Sequence, residues 1–368
     1  MNRMIVANLV HRPVRSLISI IAIALEVTLI LVIVGFSLGM LNDNKTRQKG
    51  IGADIMVRPP GSTIFTAING APLPVKIADK LRPLPHVKAV SPVFTQLTSG
   101  TKLETIFGID LPSYEALGVP FRYLSGGPFQ QPFDVIVDDV FAAGKKDLKV
   151  GDSISILNHD FRVAGIVEHG KGGRKFIPIA TLQDLTDSHD KCSLFYMSID
   201  DQKNADIVKK EILDLPGLNT YNVLSMDEWM SLMTPESLPG FSIFLNVVIG
   251  VSVAIGFIVI FQSMYTAVME RTREIGILKS LGASKSYIVR VILRETLLLA
   301  AVGTMVGIGL SYLVTFVLMK KFPTLQTSII PSWVIRSIFI AMVGALLGAF
   351  YPALKAAQKD PIDALAYE

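Results

Sequence analysis

The chain has 368 residues, 35 Lys and Arg against 31 Asp and Glu for a formal net charge of +4, and only 18% charged beside 50% hydrophobic residues. Soluble domains carry roughly 25% charged residues, so this balance, with a mean hydropathy of +0.48, excludes an ordinary soluble globule and points to a membrane protein. The one cysteine, Cys192, excludes an intrachain disulfide and any multi-cysteine metal site, and the small positive excess suits loops facing anionic lipid, not nucleic acid.

In chain order, a segment at 1–16 carrying Arg3, Arg12 and Arg15 precedes an apolar run at 17–41. Further apolar runs lie at 241–268, 296–319 and 334–354, each near or above the ~20 residues that cross ~30 Å of hydrocarbon as helix. The basic residues before the first run, and Arg271, Arg273, Lys279, Lys285, Arg290 and Arg294 in the loop at 269–295, place both on the cytoplasmic side. Four crossings then put the N-terminus and the tail at 355–368 inside, with the block at 42–240 and the loop at 320–333 outside, although Lys320, Lys321 and Arg336 fall on the disfavoured side. The first run is too long for a signal-peptide core and no small-residue cleavage site follows it, so it is expected to remain as an anchor.

The outer block alternates apolar and polar residues in "GADIMVRPP", "KAVSPVF", "LETIFGI", "FDVIVDD", "DSISIL", "FRVAGIVEHG", "KFIPIA" and "SLFYMSI", which predict strands. Helices are predicted in "VKIADKLRPL", "YEALG", "DVFAAGKK" and "NADIVKKEILDLPG". The fold class is therefore a membrane protein of four transmembrane α-helices with a large α+β extracytoplasmic domain between the first and second. Leu84-Pro85 and Leu215-Pro216 each end a helix and lead into a strand, which suits a split βαβ part flanking a β-rich insert at about 100–190 that forms a second lobe. The block has no H-E-x-x-H, G-x-S-x-G or paired cysteines, so no enzyme is expected. "HGKGGRKF" at 169–176 reads as a hairpin tip, with an anion nest as the alternative.

The charged loop "ERTREIGILKSLGASKSYIVRVILRE" sits between two apolar runs. Ile275, Leu278 and Leu281 recur at helical spacing, with Ile277 nearby and Glu270 and Glu274 four apart, predicting a short amphipathic helix on the inner membrane surface. Gly282 is a natural residue to end it, and Ser284 to cap the helix that re-enters the bilayer.

This string, "ERTREIGILKSLGAS" followed by "ILRE", resembles the cytoplasmic segment of MacB/FtsX-type ABC transporter permeases, a family that includes the lipoprotein-releasing Lol permeases. "RPVRSLISIIAIALEV", "DLKVGDSISILNHDFRVAGIV" and "YPALKAAQKDPIDALAYE" extend the resemblance over nearly the whole chain. It implies that Glu270, Arg273, Glu274, Ile275, Gly276, Lys279, Leu281, Gly282 and Ala283 form the surface that couples to an ATPase subunit. It also places Asp360 and Pro361, an N-cap and first-turn pair, in a tail helix facing the same partner. The chain has no G-x-x-x-x-G-K-[ST], so ATP and Mg2+ are expected on a separate ATPase dimer and no cofactor on this chain. The implied partners are that ATPase, a second permease copy, identical or paralogous, and in some relatives a membrane-fusion adaptor. The implied function, in a bacterial inner membrane, is export or extraction of an amphipathic or lipid-like substrate; the alternative is FtsX-like signalling to a cell-wall hydrolase without transport.

Within the membrane, Glu26 is a candidate polar site, because an ionised carboxylate there costs ~2.5 to 3.5 kcal/mol and must face protein, water or a proton. Gly35 and Gly39, Gly303 and Gly307, and Gly344 and Gly348 are spaced for close helix packing, either along a dimer seam or within the four-helix unit.

Overall fold

The computed structural model describes residues 13–62, 72–99, 103–145, 148–238 and 240–359. They form two compact units: a helical one, from the described residues up to Gly39, Gly240–Lys320 and those from Leu325 onward, and a β-rich one, from Met40–Pro239 with Lys321–Thr324.

Helix α1 spans Pro13–Lys49 and continues past the apolar run through polar residues ending in Arg47 and Lys49. The β-rich unit follows as β1 (Ile55–Arg58), β2 (Leu73–Pro74), α2 (Ala78–Leu81) and β3 (Val87–Ser99). Its middle holds β4 (Leu103–Ile109), α3 (Leu111–Glu115), β5 (Tyr123–Gly126), β6 (Asp134–Asp138), α4 (Asp139–Gly144), β7 (Ser153–Ile156), β8 (His159–Val167), β9 (Lys175–Pro178) and α5 (Ile179–Leu185). It ends with β10 (Lys191–Cys192), β11 (Leu194–Ile199), α6 (Ala205–Asp214), β12 (Asn222–Ser225) and α7 (Met226–Ser231).

Ten strands share one sheet in the order β12-β1-β11-β3-β4-β9-β6-β8-β5, with β7 paired to β8. The first four are antiparallel to their neighbours, and α2 and α6 lead through the two Leu-Pro turns into β3 and β12, a split βαβ arrangement. The middle strands extend that same sheet. Residues 87–93 of the long β3 pair with β11 while residues 93–99 pair with β4, so one strand carries the sheet through both halves.

The stretch at 169–174 is neither a hairpin tip nor an anion nest. Strands β8 and β9 lie on either side of β6 and do not pair with each other. Lys171 is 8% exposed, and its ammonium donates to the Gly50 and Val119 carbonyls at 2.9 and 2.6 Å. Arg174 bridges Asp43, near the end of α1, and Asp138 at 3.0 and 3.1 Å. The cations that an anion would need are already engaged.

The chain then forms α8 (Phe241–Glu270), α9 (Thr272–Ser280), α10 (Lys285–Lys321) and α11 (Pro331–Gln358). Helices α1, α8, α10 and α11 are each long and apolar enough to cross a membrane. Ala341, Ala345, Ala349 and Ala353 of α11 are fully buried; their four-residue spacing makes a stripe of small side chains. A Cβ on Gly348 would lie 3.0 Å from the Phe257 carbonyl oxygen of α8, and one on Gly307 2.7 Å from the Ala24 carbonyl oxygen of α1. Gly303 likewise faces Ile23, Gly35 faces Ser328, Gly39 faces Gln326 and Gly344 faces Glu26. All six glycines face this chain's own segments. The outward positions instead carry large apolar side chains such as Phe244, Val251, Phe316 and Phe339.

Candidate functional site

Helix α8 breaks at Arg271, which has φ −107° and ψ 16° and ends one helix while opening the next. After this corner α9 runs to Ser280 and stops as its sequence requires. Gly282 takes φ +94°, its N–H bonds the Lys279 carbonyl, and the Ala283 N–H reaches back to Leu278, a Schellman ending that satisfies two terminal carbonyls. Ser284 caps α10 by accepting from the Tyr287 N–H at 3.2 Å. The turn between α9 and α10 is thus set by three residues in a row.

The two sides of α9 differ. Thr272 and Gly276 are buried, and Ile275 packs on the helical core. Glu270, Arg273, Glu274, Ile277 and Leu281 are exposed, Ile277 to 45% and Leu281 to 80%. Arg273, Glu274 and Ile277 share one stripe of α9, flanked by Glu270 at the end of α8 and Leu281 at the C-cap, so the outward side is charged at its start and apolar at its end. Leu281 was expected beside Ile275 and Leu278, but it follows the last helical residue and turns outward with the C-cap.

Two assigned coupling residues work inward. Gly276 is buried, so the close backbone approach it permits is made within this chain. The Lys279 ammonium donates to the Ala357 carbonyl at 3.1 Å and to the Lys359 carbonyl, placing a cation at the C-terminal end of α11, where free carbonyls and the helix dipole favour it. Of the remaining assigned residues, Gly282 is exposed and Ala283 half-buried. Asp360 and Pro361 lie outside the described residues.

Two further residues hold α9 in place. The Arg271 guanidinium donates through Nη1 to both Glu295 carboxylate oxygens at 3.0 and 3.3 Å, and through Nε to Glu274 at 3.3 Å. The Arg271 and Glu295 side chains are 15% and 8% exposed, so the pair ties the corner before α9 to a helix that follows it. It borders a cavity of about 310 Å³ between α8, α9 and α10, whose walls include Val268, Leu278, Ile288 and Ile292. The available clue in the sequence is Glu295 itself, an acid at the edge of an apolar run and so in need of a counter-charge.

Glu26 lies away from this loop. It is 4% exposed, its Oε2 would be 2.0 Å from a Cβ on Gly256 of α8, and its Oε1 has no hydrogen-bond partner among the described residues. Nothing brings it near α9.

Two family models together cover most of the chain. The MacB-like periplasmic core domain matches residues 16–215, more than half of the chain, and the FtsX-like permease C-terminal domain matches residues 246–361. The chain belongs to the MacB/FtsX family of ABC transporter permeases. It is accordingly a multi-pass membrane protein. Among curated relatives of this family, the uncharacterized ABC transporter permease YknZ of Bacillus subtilis is 30% identical over 61% of this chain and 58% of its own length. The macrolide export ATP-binding/permease protein MacB of Shewanella sp. is 25% identical over 97% of this chain and 59% of its own. The chain thus spans under three fifths of the length of either relative. Among solved structures, the periplasmic region of MacB from Actinobacillus actinomycetemcomitans aligns with 50% of this chain and 94% of its own at 15% identity and a TM-score of 0.39.

Proposed function

We propose that this MacB/FtsX-type permease is driven by a separate ABC ATPase that docks on the outward face of α9. The observation that carries the reading is the contrast between the two sides of that helix. Leu281 at 80% and Ile277 at 45% exposure sit beside Glu270, Arg273 and Glu274, while the opposite side is fastened by Arg271–Glu295 and by Lys279 on the end of α11. A helix fixed to the membrane helices on one side and presenting exposed side chains on the other moves them when it is pushed. Apolar groups ringed by charges are what a partner groove buries with a polar rim, and ATP-driven closure of an ATPase dimer would shift α9 as a rigid body.

In this account two permease copies, identical or paralogous, sit over the ATPase dimer in a bacterial inner membrane with both termini cytoplasmic. The ATPases bind ATP and Mg2+; the β-rich unit lies outside, handling an amphipathic or lipid-like substrate and, where one exists, passing it to an adaptor. Reversing the charge at Glu274 tests the docking. Its side chain is 64% exposed and shares Arg271 with Glu295, so Glu274→Lys should abolish ATP turnover stimulated by the permease in the co-purified ATPase while leaving expression intact. Unchanged stimulation would remove α9 as the contact.

A further inference from the structure

The β-rich unit contains a cavity of about 740 Å³ that the coupling account does not use. This is within the ~300–1,000 Å³ range of small-molecule sites. Its lining is more polar than apolar: Lys145, Lys175, Lys321 and Glu104 stand among uncharged polar groups, with Phe141 and Phe322 beside them.

Charge decides what such a lining selects. Lys175 is 5% exposed, is paired with Glu104 and stands 4.5 Å over the Phe141 ring. Its charge is therefore met within the protein. Lys145 and Lys321 are different: each lies near a ring, Phe141 at 5.7 Å and Phe322 at 6.0 Å, but among the described residues neither has a carboxylate in ion-pair range. The cavity thus holds two ammonium groups that, among the described residues, meet no carboxylate within ion-pair range, set in a largely polar lining. That combination fits an anionic, hydrogen-bonding headgroup and disfavours a cation.

Chain connectivity says where the ligand comes from. Lys321 is the last residue of α10, a helix of membrane-crossing length and apolarity, and the chain passes from it directly into the cavity wall at Phe322 to Thr324. A lysine at the end of a membrane helix lies at headgroup depth, where basic side chains attract anionic lipid. Lys321 is also one of the residues that offends the positive-inside pattern, and a site for acidic headgroups gives it a reason to be there. We infer that this cavity binds the headgroup of an anionic phospholipid, with Lys145 and Lys321 holding the phosphate and Phe141 and Phe322 flanking the glycerol. The inference rests on the chain's being a membrane protein with Lys321 on its outer side and is independent of where the ATPase docks.

The full-length chain in neutral detergent, titrated with phosphatidylglycerol and read by native mass spectrometry, tests it. A basic side chain near a lipid phosphate contributes about fivefold in affinity, so Lys145→Ala with Lys321→Ala should weaken the tightest adduct on the order of 25-fold. Lys145→Arg with Lys321→Arg should keep it, and phosphatidylcholine should bind equally weakly to all three proteins. Lys145→Ala alone, expected to weaken binding about fivefold, serves if the double variant is poorly folded. Undiminished phosphatidylglycerol binding in the alanine variants would overturn the site, as would equal retention of phosphatidylcholine by the unaltered chain. Complete displacement by millimolar inorganic phosphate would overturn the assignment to lipid in favour of a soluble anion.

Discussion

Removing Arg271 should loosen α9 without unfolding the rest of the molecule. In Arg271→Met the stem volume is largely kept, but Glu295, whose side chain is 8% exposed, is left charged against the apolar cavity walls. Breaking a buried ion pair from one side costs about 3–5 kcal/mol. Arg271 is itself 15% exposed and is shared with the exposed Glu274, so a value at or below the bottom of that range, about 2–3 kcal/mol, is appropriate. The loss falls on the corner between α8 and α9, because both hydrogen bonds to Glu295 reach across it. Amide hydrogen exchange of residues 272–280 in the full-length chain in nanodiscs should therefore accelerate on the order of 30- to 150-fold, with little change in α11. Arg271→Met combined with Glu295→Gln removes both charges and should recover most of the protection, since replacing a buried pair outright is often near neutral. Exchange within about threefold of the unaltered chain in the single variant would refute the reasoning, as would a double variant no slower than the single one.

Other outcomes follow from the packing and the charges. Gly307→Ala would set a Cβ 2.7 Å from a backbone oxygen of α1, whereas a Cβ on Gly309 meets nothing within 4 Å. Thermal unfolding should show Gly307→Ala destabilised by about 1–3 kcal/mol and Gly309→Ala no worse than the parent. Burial raises Asp138 from its ordinary 3.8 to about 6, against the opposing pull of Arg174. The folded chain then binds more protons than the unfolded chain between about pH 4 and 6, and stability falls as pH rises through that window. Asp138→Asn keeps an acceptor for the Phe141 N–H, a bond of 2.6 Å in the native chain, and removes the titration. Its unfolding midpoint relative to the parent should climb from pH 4 to 6, and a flat or falling difference would contradict the assignment. Lys279→Met should fray the end of α11, because two C-terminal carbonyls lose their cation; faster exchange at residues 355–358 is the readout.

The architecture was readable because its elements follow simple periods. "LETIFGI" coincides with β4, and the four apolar runs sit inside α1, α8, α10 and α11. Short elements were less visible: β12 has four residues and no clear alternation, and its neighbours decide that it is a strand. Helix α7 did carry a sign, since Ser225 and Glu228 form a reciprocal capping box. The hairpin reading of 169–176 failed because sequence adjacency of β8 and β9 says nothing about β6 inserting between them.

At the candidate site the local part was legible, namely the helix, the glycine that ends it and the serine that starts α10. Which residues face inward was not. Arg271 and Lys279 look like ordinary loop cations until α10 and α11 bring Glu295 and the carbonyls of Ala357 and Lys359 against them. Gly276 was assigned to the partner by the family resemblance, and its burial could come only from the tertiary packing of α9.

The docking claim is met most directly by thiol labelling at Leu281. Cys192 is buried, so Cys192→Ser with Leu281→Cys presents one exposed thiol at the tip of α9. A membrane-impermeant maleimide should leave it unlabelled in intact cells, label it in inverted vesicles stripped of the ATPase, and be blocked again once the ATPase is restored. Labelling from the outer medium, or undiminished labelling with the ATPase bound, would contradict the account.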